Sequence, residues 1–336
     1  MHKRDVSIKK ISELTGYSIA TVSRVINNKG RYSKETEQII NETIKRVNYV
    51  PNMIAKGLRT RQANTIGILV PGITNEFYSS ITLAVQNALF DHSFSTFICN
   101  TYEKKASEDK HLMMMKSQSI GGLIFVCSDS GVGDLHAGTP RVYVDRMPLD
   151  IADTGELYLI ASDNYSGGRM ATAELIDTGC RRILMLFEKR EFWPRLERSR
   201  GVLDEIAARG EGRCSLISEY INGINFENAA AAVNRLLDDG VEFDGIFCYT
   251  DIIAAAVIGV LHRRGIRVPE DVKIVGFNDL TVSRCAYPTI TTVRQDTESL
   301  GRIAAGLIIN IINKEDIGEK RQVLPVELIR RESTRL

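Results

Sequence analysis

Short, hydroxyl-bearing and charged side chains are interleaved with valines between residues 18 and 27. Folded as a helix, this run places Val22, Val25 and Ile26 on one face. The opposite face then carries Ile19, Ala20, Thr21, Ser23 and Arg24. An arginine can donate two hydrogen bonds to one guanine, and small hydroxyl groups can bond phosphate oxygens. The exposed face therefore has the chemistry of a helix that lies in the major groove of DNA.

The neighbouring residues predict the helices that would hold this face in place. Ile8, Ile11 and Leu14 recur at helical spacing, and Gly16 follows where the chain must turn. Ser18 can cap the second helix, because its hydroxyl accepts a hydrogen bond from an unpaired backbone N–H. A third helix is predicted after Ser33, with an apolar face of Ile39, Ile40, Ile44 and Val47. These elements predict a helix-turn-helix, although their spacing alone also fits another small helical hairpin.

Two classes of DNA contact are predicted from these positions. Base edges are expected to meet the exposed start of the second helix, at Ile19, Ala20 and Arg24. Phosphate oxygens are expected to meet Ser7, Ser18, Thr21, Ser23, Asn27 and Thr36. Simple capping is the alternative for Ser7 and Ser18, and one serine can do both.

The charge distribution supports a DNA-binding head. Residues 1–62 hold 13 Lys or Arg and 5 Asp or Glu, whereas the remaining residues hold 30 and 37. The net charge of the chain is nevertheless only +1. A small basic head on an acidic body is expected where the head alone meets phosphate.

Length and composition exclude several classes of protein. A chain of 336 residues predicts two or three domains. No apolar run approaches the ~20 residues of a membrane span, and the charged N-terminus lacks a secretory pattern, so we expect a cytoplasmic protein without membrane contact. The six cysteines are scattered and favour neither disulfides nor a metal site.

Beyond residue 65, short apolar runs alternate with amphipathic helices. The predicted strands are 65–70, 95–99, 122–127, 141–144, 157–161, 183–187, 245–249 and 273–277. Predicted helices include 77–91, 165–178, 198–209, 227–238 and 251–264. This alternation indicates an α/β body of parallel sheets with helices on both faces. The units are too many for one compact sheet, so we expect two lobes.

An enzyme is not expected, because no nucleophile-elbow, zinc-protease, P-loop or dinucleotide-binding string occurs. No cofactor is predicted either. A sugar-binding protein without a role on DNA is a further alternative, but the basic head argues against it.

Five strings make the chain resemble the lactose-repressor (LacI/GalR) family of bacterial transcription regulators along nearly its whole length. They are A-T-V-S-R-V-I-N at 20–27, Y-V-P-N-M-I-A-K-G-L-R at 49–59, T-I-G-I-L-V-P at 65–71, V-P-E-D-V-K-I-V-G-F-N-D at 268–279 and T-I-T-T-V-R-Q at 289–295. The resemblance implies a DNA-binding domain at 1–51, a hinge at 52–62 and a ligand-binding and dimerisation body at 63–336.

That body is expected to consist of two doubly wound lobes of the periplasmic-binding-protein type, crossed three times by the chain. The crossings are predicted near 160–162, 288–293 and 319–322. The N-lobe would then contain 63–160 and 292–319, and the C-lobe 161–291 and 320–336.

The hinge is short for an isolated helix, and Gly57 weakens it by about a further 1 kcal/mol relative to Ala. On residue types alone it is a flexible tether that becomes helical when something packs against it. The resemblance implies that it folds on DNA, with Asn52 and Ala55 in the minor groove and Leu58 wedged between base pairs.

Polar residues follow several predicted strands, where a cleft between two lobes would bind a ligand. They are Asp145, Thr250, Asp251, Asn278 and Asp279. Helix capping is the alternative for the two aspartates at 251 and 279. The resemblance implies effector contacts by Arg198, Asp145, Phe77 and Tyr78, and sugar-binding members usually carry Asn and Asp where this chain has Thr250 and Asn278. Ile224 stands where many members have a ring, and Trp193 could supply a ring instead.

The resemblance thus implies a repressor that binds double-stranded DNA at a palindromic operator and responds to a sugar or sugar phosphate. The family's tetramers need an added C-terminal heptad segment, and the sequence ends at R-R-E-S-T-R-L without one. We therefore expect a homodimer and not a tetramer. A regulator of the catabolite-control type, gated by a partner protein, is the alternative.

Overall fold

The structure, a computed structural model, describes residues 7–26, 30–49, 64–118, 120–127, 138–146, 157–210 and 214–335. The chain divides into two compact units, Met1–Asn64 and Thr65–Leu336. Four predicted DNA contacts, Asn27, Asn52, Ala55 and Leu58, lie outside the described residues, as does the predicted hinge at 52–62.

The first unit contains the predicted helix-turn-helix. Its helices are α1 (Ile8–Thr15), α2 (Ile19–Ile26) and α3 (Lys34–Val47). α1 ends at Gly16, whose φ of 73° is the left-handed conformation that glycine adopts without strain. Ile11, Val22, Val25 and Ile40 form the buried core. The core explains why α2 presents its other face outward.

The predicted placement of two residues on the apolar faces is wrong. Leu14 is 44% exposed and Ile39 is 37% exposed. In a helix of 3.6 residues per turn, each step of three residues falls about 60° short of a full turn. Leu14 has therefore turned away from the face of Ile8, and Ile39 lies about 100° around the helix from buried Ile40.

The second unit is an α/β body whose strands and helices alternate as predicted. Its strands are β1 (Thr65–Val70), β2 (Ser95–Asn100), β3 (Gly122–Val126), β4 (Arg141–Val144), β5 (Tyr158–Ser162), β6 (Arg182–Glu188), β7 (Ser215–Ile221), β8 (Gly245–Cys248), β9 (Lys273–Asn278), β10 (Thr291–Arg294), β11 (Arg321–Leu324) and β12 (Glu327–Ile329). Its helices are α4 (Glu76–Asp91), α5 (Lys105–Ser117), α6 (Asn164–Asp177), α7 (Trp193–Glu205), α8 (Phe226–Asp238), α9 (Asp251–Arg263), α10 (Thr281–Cys285) and α11 (Thr297–Asn313).

The described strands form two six-stranded sheets, one in each lobe. The N-lobe order is β11-β5-β4-β3-β1-β2 and the C-lobe order is β12-β10-β9-β8-β6-β7. All pairs are parallel except β10 with β12. In the N-lobe, α4 and α11 cover one face and α5 the other. The predicted fold class, with two doubly wound lobes, is confirmed.

The chain passes between the lobes at positions slightly different from those expected. β10 belongs to the C-lobe sheet, so the second crossing falls between Arg294 and α11, after the predicted 288–293. β11 belongs to the N-lobe sheet, so the third crossing falls at Pro325 and Val326, after the predicted 319–322. β5 likewise keeps residues 161 and 162 in the N-lobe sheet. The assignments of 161–162 and 320–324 to the C-lobe, and of 292–294 to the N-lobe, are therefore wrong. Such short strands are assigned to a lobe by their hydrogen-bond partners, which no local pattern reveals.

Candidate functional site

A cavity lies between the lobes, at the carboxyl ends of their parallel strands. Its described lining is Asn75, Phe77, Tyr78, Asp145, Arg146, Phe192, Arg198, Ile224, Tyr249, Thr250 and Asn278. The N-lobe contributes the start of α4 and the end of β4, and the C-lobe contributes α7 and the ends of β8 and β9. Its free volume of about 20 Å³ has room for one or two water molecules. A ligand would therefore touch both lobes at once.

The structure brings six of the seven predicted effector residues to this cavity. They are Phe77, Tyr78, Asp145, Arg198, Thr250 and Asn278. Trp193 is the exception, because it packs on an N-lobe cluster that includes Phe125 and Tyr143. The preceding residue, Phe192, packs instead on the core cluster of the C-lobe. Phe192 lines the cavity in place of Trp193.

Sequence reasoning missed four lining residues: Asn75, Arg146, Phe192 and Tyr249. Two of them directly neighbour predicted residues at strand ends. Asn75 is the N-cap of α4, where its Oδ1 accepts a hydrogen bond from Phe77 N at 3.0 Å. Of the two aspartates predicted as either caps or contacts, neither Asp251 nor Asp279 lines this cavity.

The loops around the cavity carry unusual backbone conformations. φ is positive at Cys127 (54°), Asp145 (68°) and Asn278 (102°), each at or just after the end of a strand. Glu103, after β2, has a φ of 55°. Non-glycine residues in this region cost about 1–3 kcal/mol each and cluster at functional sites. These strained positions lie at the carboxyl ends of the strands, beside the cavity.

Arg198 is 2% exposed and held by neutral groups. Its Nε donates to Asn164 Oδ1 and its Nη1 donates to the carbonyl oxygen of Tyr249, both at 2.8 Å. The guanidinium also lies 3.5 Å from the ring centre of Phe277 and 4.4 Å from that of Tyr249. These contacts fix its orientation before any ligand enters.

Close packing of α6 against α7 positions Arg198. A Cβ added to Gly168 would clash with the carbonyl oxygen of Arg198, and one added to Gly201 would clash with that of Tyr165. Each clash is with backbone, which has no rotamer to escape into. The two glycines therefore set how close α7 lies to its neighbour.

The N-lobe side of the cavity presents a carboxylate and a second arginine. Asp145 Oδ2 accepts a hydrogen bond from the Cys127 thiol at 3.3 Å. Arg146 Nε donates to the Cys127 carbonyl at 2.6 Å, and its Nη2 donates to Glu103 at 3.4 Å. The Arg146 guanidinium lies 4.8 Å from the ring centre of Phe192. Burial raises the pKa of the Cys127 thiol, which therefore stays protonated and donates to Asp145.

Besides Arg198, the polar side chains on the C-lobe side are amides and hydroxyls. Gln295 Nε2 donates to Asn278 Oδ1 at 2.7 Å. Thr250 Oγ1 accepts from Ile253 N at 3.5 Å as the N-cap of α9, so its own proton remains a donor. Burial raises the pKa of Tyr249 and of Tyr78 across the cavity, and both hydroxyls remain neutral at physiological pH.

Two polar contacts join the lobes beside the cavity. Glu103 of the N-lobe pairs with Arg190 of the C-lobe at 2.8 Å. Glu76, at the start of α4, accepts from Thr281 N at 3.0 Å and from Thr281 Oγ1 at 2.7 Å. The positions of these contacts depend on the angle between the lobes, which makes them sensitive to opening.

A larger cavity of about 700 Å³ lies beside the crossings between the lobes. Within its lining, Asp279 accepts from Arg294 at 2.8 Å and from Arg284 at 3.2 Å, and it also accepts from Arg331 behind the lining at 2.6 Å. Burial raises the pKa of Asp279, but the hydrogen bonds from Arg294 and Arg331 outweigh burial and hold that pKa below its ordinary value. The Asp279 carboxylate therefore holds three arginine side chains in place and has a structural role.

The first unit presents the predicted DNA-facing side chains to solvent. Ile19, Ala20 and Arg24 are exposed on α2. Ser7 accepts from Lys10 N at 3.3 Å and Ser18 from Thr21 N at 3.2 Å, so both caps form. Thr21 and Ser23 are half-buried on α2, and Thr36 lies in the first turn of α3 with its hydroxyl 2.8 Å from that of Ser33.

Within the described parts of the chain, two absences bear on other functions. No helix there is long and apolar enough to cross a membrane. No three His, Cys, Asp or Glu side chains there converge as metal ligands.

Comparisons with known proteins match both units. Residues 7–52 match the model of the bacterial regulatory proteins, lacI family, and residues 172–334 match that of the periplasmic binding protein-like domain. The chain is 32% identical to the HTH-type transcriptional regulator CelR of Thermobifida fusca, over 98% of this chain and 99% of that protein. It is 29% identical to the ribose operon repressor of Halalkalibacterium halodurans, over 98% and 97%. A solved complex of the transcriptional regulator CelR with cellobiose superposes with a TM-score of 0.74, at 30% identity, over 97% of this chain and 99% of that one.

Proposed function

We propose that this chain, which belongs to the lacI family of bacterial regulatory proteins, is a repressor whose affinity for its operator is set by a small carbohydrate bound between the lobes. As a member of this family, the chain binds DNA and regulates transcription. The observation that carries the ligand proposal is the buried polar lining of the cavity, to which both lobes contribute. Such a lining suits a polyol, because each buried donor or acceptor left without a partner costs about 1–3 kcal/mol.

The ligand would act by favouring one angle between the lobes. Arg198 supplies a donor from the C-lobe and Asp145 an acceptor from the N-lobe. A molecule that bridges them binds one arrangement of the lobes more tightly than another, and that difference in affinity shifts the population. By linkage, the same difference changes the affinity for DNA.

On DNA, we propose that Arg24, Ile19 and Ala20 read bases and that the hydroxyl groups of α1 to α3 hold phosphates. The caps at Ser7 and Ser18 support this assignment, because a capping hydroxyl accepts from the backbone and can still donate to a phosphate oxygen. Two heads in a two-fold homodimer would read a palindromic operator of about 14 to 18 base pairs.

Arg198→Ala tests the proposal, with Arg200→Ala on the same helix as its control. Arg200 is 58% exposed and pairs with Glu197, away from the cavity. A panel of sugars and sugar phosphates would be screened by thermal shift and calorimetry, and operator binding by mobility shift. A ligand at 100 times its Kd adds about 2.7 kcal/mol, or roughly 5–10 °C in Tm.

We expect Arg198→Ala to abolish the ligand response and keep operator binding, and Arg200→Ala to behave like the unchanged protein. Undiminished ligand affinity in Arg198→Ala would show that the ligand binds elsewhere. A normal operator complex that responds to no member of the panel, but to a partner protein, would favour the catabolite-control alternative.

A further inference from the structure

The ends of β2 and β6 form the lip of the cavity between the lobes, on the side away from the chain crossings. The crossings start or end at β5 and β11 in the N-lobe and at β10 and β12 in the C-lobe, at one side of each sheet. β2 is the other edge of the N-lobe sheet, four strands from β5, and β6 is three strands from β10. At about 4.8 Å for each strand, the lip therefore lies roughly 15–20 Å from the crossings.

An ion pair joins the two lobes at this lip. Glu103, in the loop after β2, accepts from Arg190, in the loop after β6, at 2.8 Å. A rotation of the lobes by about 10° around the crossings would move the lip by roughly 3 Å. Such a movement takes the two side chains beyond the 4.0 Å limit of an ion pair, so this contact belongs to the closed arrangement alone.

Two further side chains support the pair from opposite lobes. Arg146 of the N-lobe donates to Glu103 at 3.4 Å, and its guanidinium lies 4.8 Å from the ring centre of Phe192 of the C-lobe. The guanidinium of Arg190 lies 5.5 Å from the centre of the same ring. Arg146 and Phe192 are each 3% exposed, and a cation–π contact is stronger when it is desolvated.

The pair can break without leaving either charge alone in its lobe. Glu103 keeps Arg146 in the N-lobe, and Arg190 has Glu188 at 4.0 Å in the C-lobe. The loop that carries Glu103 is also strained, because φ is 54° at Tyr102 and 55° at Glu103. Strained residues of this kind persist where surrounding contacts hold them, and they occur at switch regions. The arrangement therefore suits a contact that breaks and forms again.

From these observations we infer that Glu103 and Arg190 form a clasp that holds the lip closed. The clasp sets the fraction of molecules in which the lobes are apart, and with it the access to the cavity between them. Arg146 and Phe192 position the two charges. The inference goes beyond the proposed function, because it concerns the closure of the lobes and holds whatever the cavity binds.

The alkylation rate of Cys127 in the full-length protein measures how often the lip opens. Cys127 is 1% exposed and donates to Asp145, which lines the cavity, so a neutral reagent such as iodoacetamide reaches it through the open lip. Mass spectrometry of the digested protein follows each cysteine separately. Cys285 is exposed and reports the activity of the reagent, whereas Cys248 is buried in the C-lobe core and reports unfolding.

Glu103→Gln and Arg190→Gln should each raise the Cys127 rate about two- to fivefold, the range for an ion pair whose side chains are 38% and 35% exposed. The double variant should react no faster than the faster single variant, because the two charges act through each other. Arg267→Gln is the matched control and should have no effect, since its 2.7 Å pair with Asp271 lies within the C-lobe. Added salt should accelerate Cys127 in the unchanged protein and not in the single variants.

Unchanged Cys127 rates in both single variants would overturn the clasp, and so would effects that multiply in the double variant. An equal rise at Cys248 would trace the reactivity to unfolding and would also count against it. Operator binding separates the clasp from the proposed function. If Arg190→Gln opens the lip but leaves the operator affinity unchanged, the clasp stands, and the proposed link between the angle of the lobes and DNA affinity fails.

Discussion

Replacing Asp251 by asparagine should make the body more stable at neutral and alkaline pH. Asp251 is fully buried at the first position of α9. Burial raises its pKa to about 7, against the effect of hydrogen bonds from Thr292 and Leu280 N. Leu280 N donates to Oδ2 at 2.7 Å, while Oδ1 has no hydrogen-bond partner among the residues that the structure describes. The folded protein therefore holds the proton of Asp251 up to a pH at which the unfolded chain has lost it.

The size and sign of the effect follow from the two pKa values. Between the ordinary value of 3.8 and about 7, the folded state binds more protons than the unfolded state, so the free energy of unfolding falls as pH rises. At about 1.36 kcal/mol for each pKa unit, the loss reaches at most about 4 kcal/mol above pH 7. Asparagine does not titrate, so the free energy of unfolding of the variant does not fall with pH at this site. Any cost of burying its amide is the same at every pH.

Urea unfolding between pH 4.5 and 8.5 would measure the difference between the two proteins. Trp193 is the only tryptophan and lies in the body, so its fluorescence reports the body rather than the DNA-binding unit. Asp238→Asn is the control, because that carboxylate is 62% exposed and pairs with Arg264 at the surface. The control should shift stability by no more than about 1 kcal/mol.

The advantage of Asp251→Asn should grow across this pH range and level off above pH 7. A difference that stays constant with pH would show that the carboxylate is not protonated in the folded protein. If the free energy of unfolding of the unchanged protein instead rose relative to that of the variant with increasing pH, folding would lower the pKa of Asp251. The argument from burial would then be wrong.

Two further predictions concern the packing of α7 and the reading of DNA. Gly201→Ala should destabilise the body by about 1–3 kcal/mol and weaken ligand binding, because its methyl group meets the carbonyl oxygen of Tyr165. Gly306→Ala, in open space on α11, should instead stabilise the body by about 0.5–1 kcal/mol. Thermal unfolding that ranks the two variants the other way would refute this prediction. Arg24→Ala should relax base preference at one symmetric pair of operator positions, whereas Thr21→Ala should weaken all sequences alike, and both proteins should lose affinity steeply with salt. An equal loss on every sequence in Arg24→Ala would place that side chain on phosphate.

Local patterns in the sequence were sufficient for the parts of the fold that depend on local physics. The helices of the first unit follow from caps and apolar spacing, and eight of the twelve described strands of the body follow from short apolar runs. The other four, β7, β10, β11 and β12, were not predicted. The predictions failed where the environment of a residue is set by parts of the chain that are distant in sequence. β11 was placed in the wrong lobe because it has only four residues and pairs with β5, which is remote in sequence. β10 is equally short, and its pairing with β9 keeps it in the C-lobe although the chain leaves that lobe directly after it.

The chain's own residue types determined that its N-terminal unit presents an arginine and hydroxyl groups from a capped helix, and that polar residues end its strands. Tertiary structure alone decided which of those polar groups meet. Phe192 lines the cavity, whereas its neighbour Trp193 packs on a cluster of the N-lobe. Gln295 set which end of the Asn278 amide faces the cavity. The end of β4 in the N-lobe and helix α7 in the C-lobe brought two arginines and one aspartate together. The physical reason is that the charge and orientation of a buried polar group depend on partners that are close in space and distant in sequence.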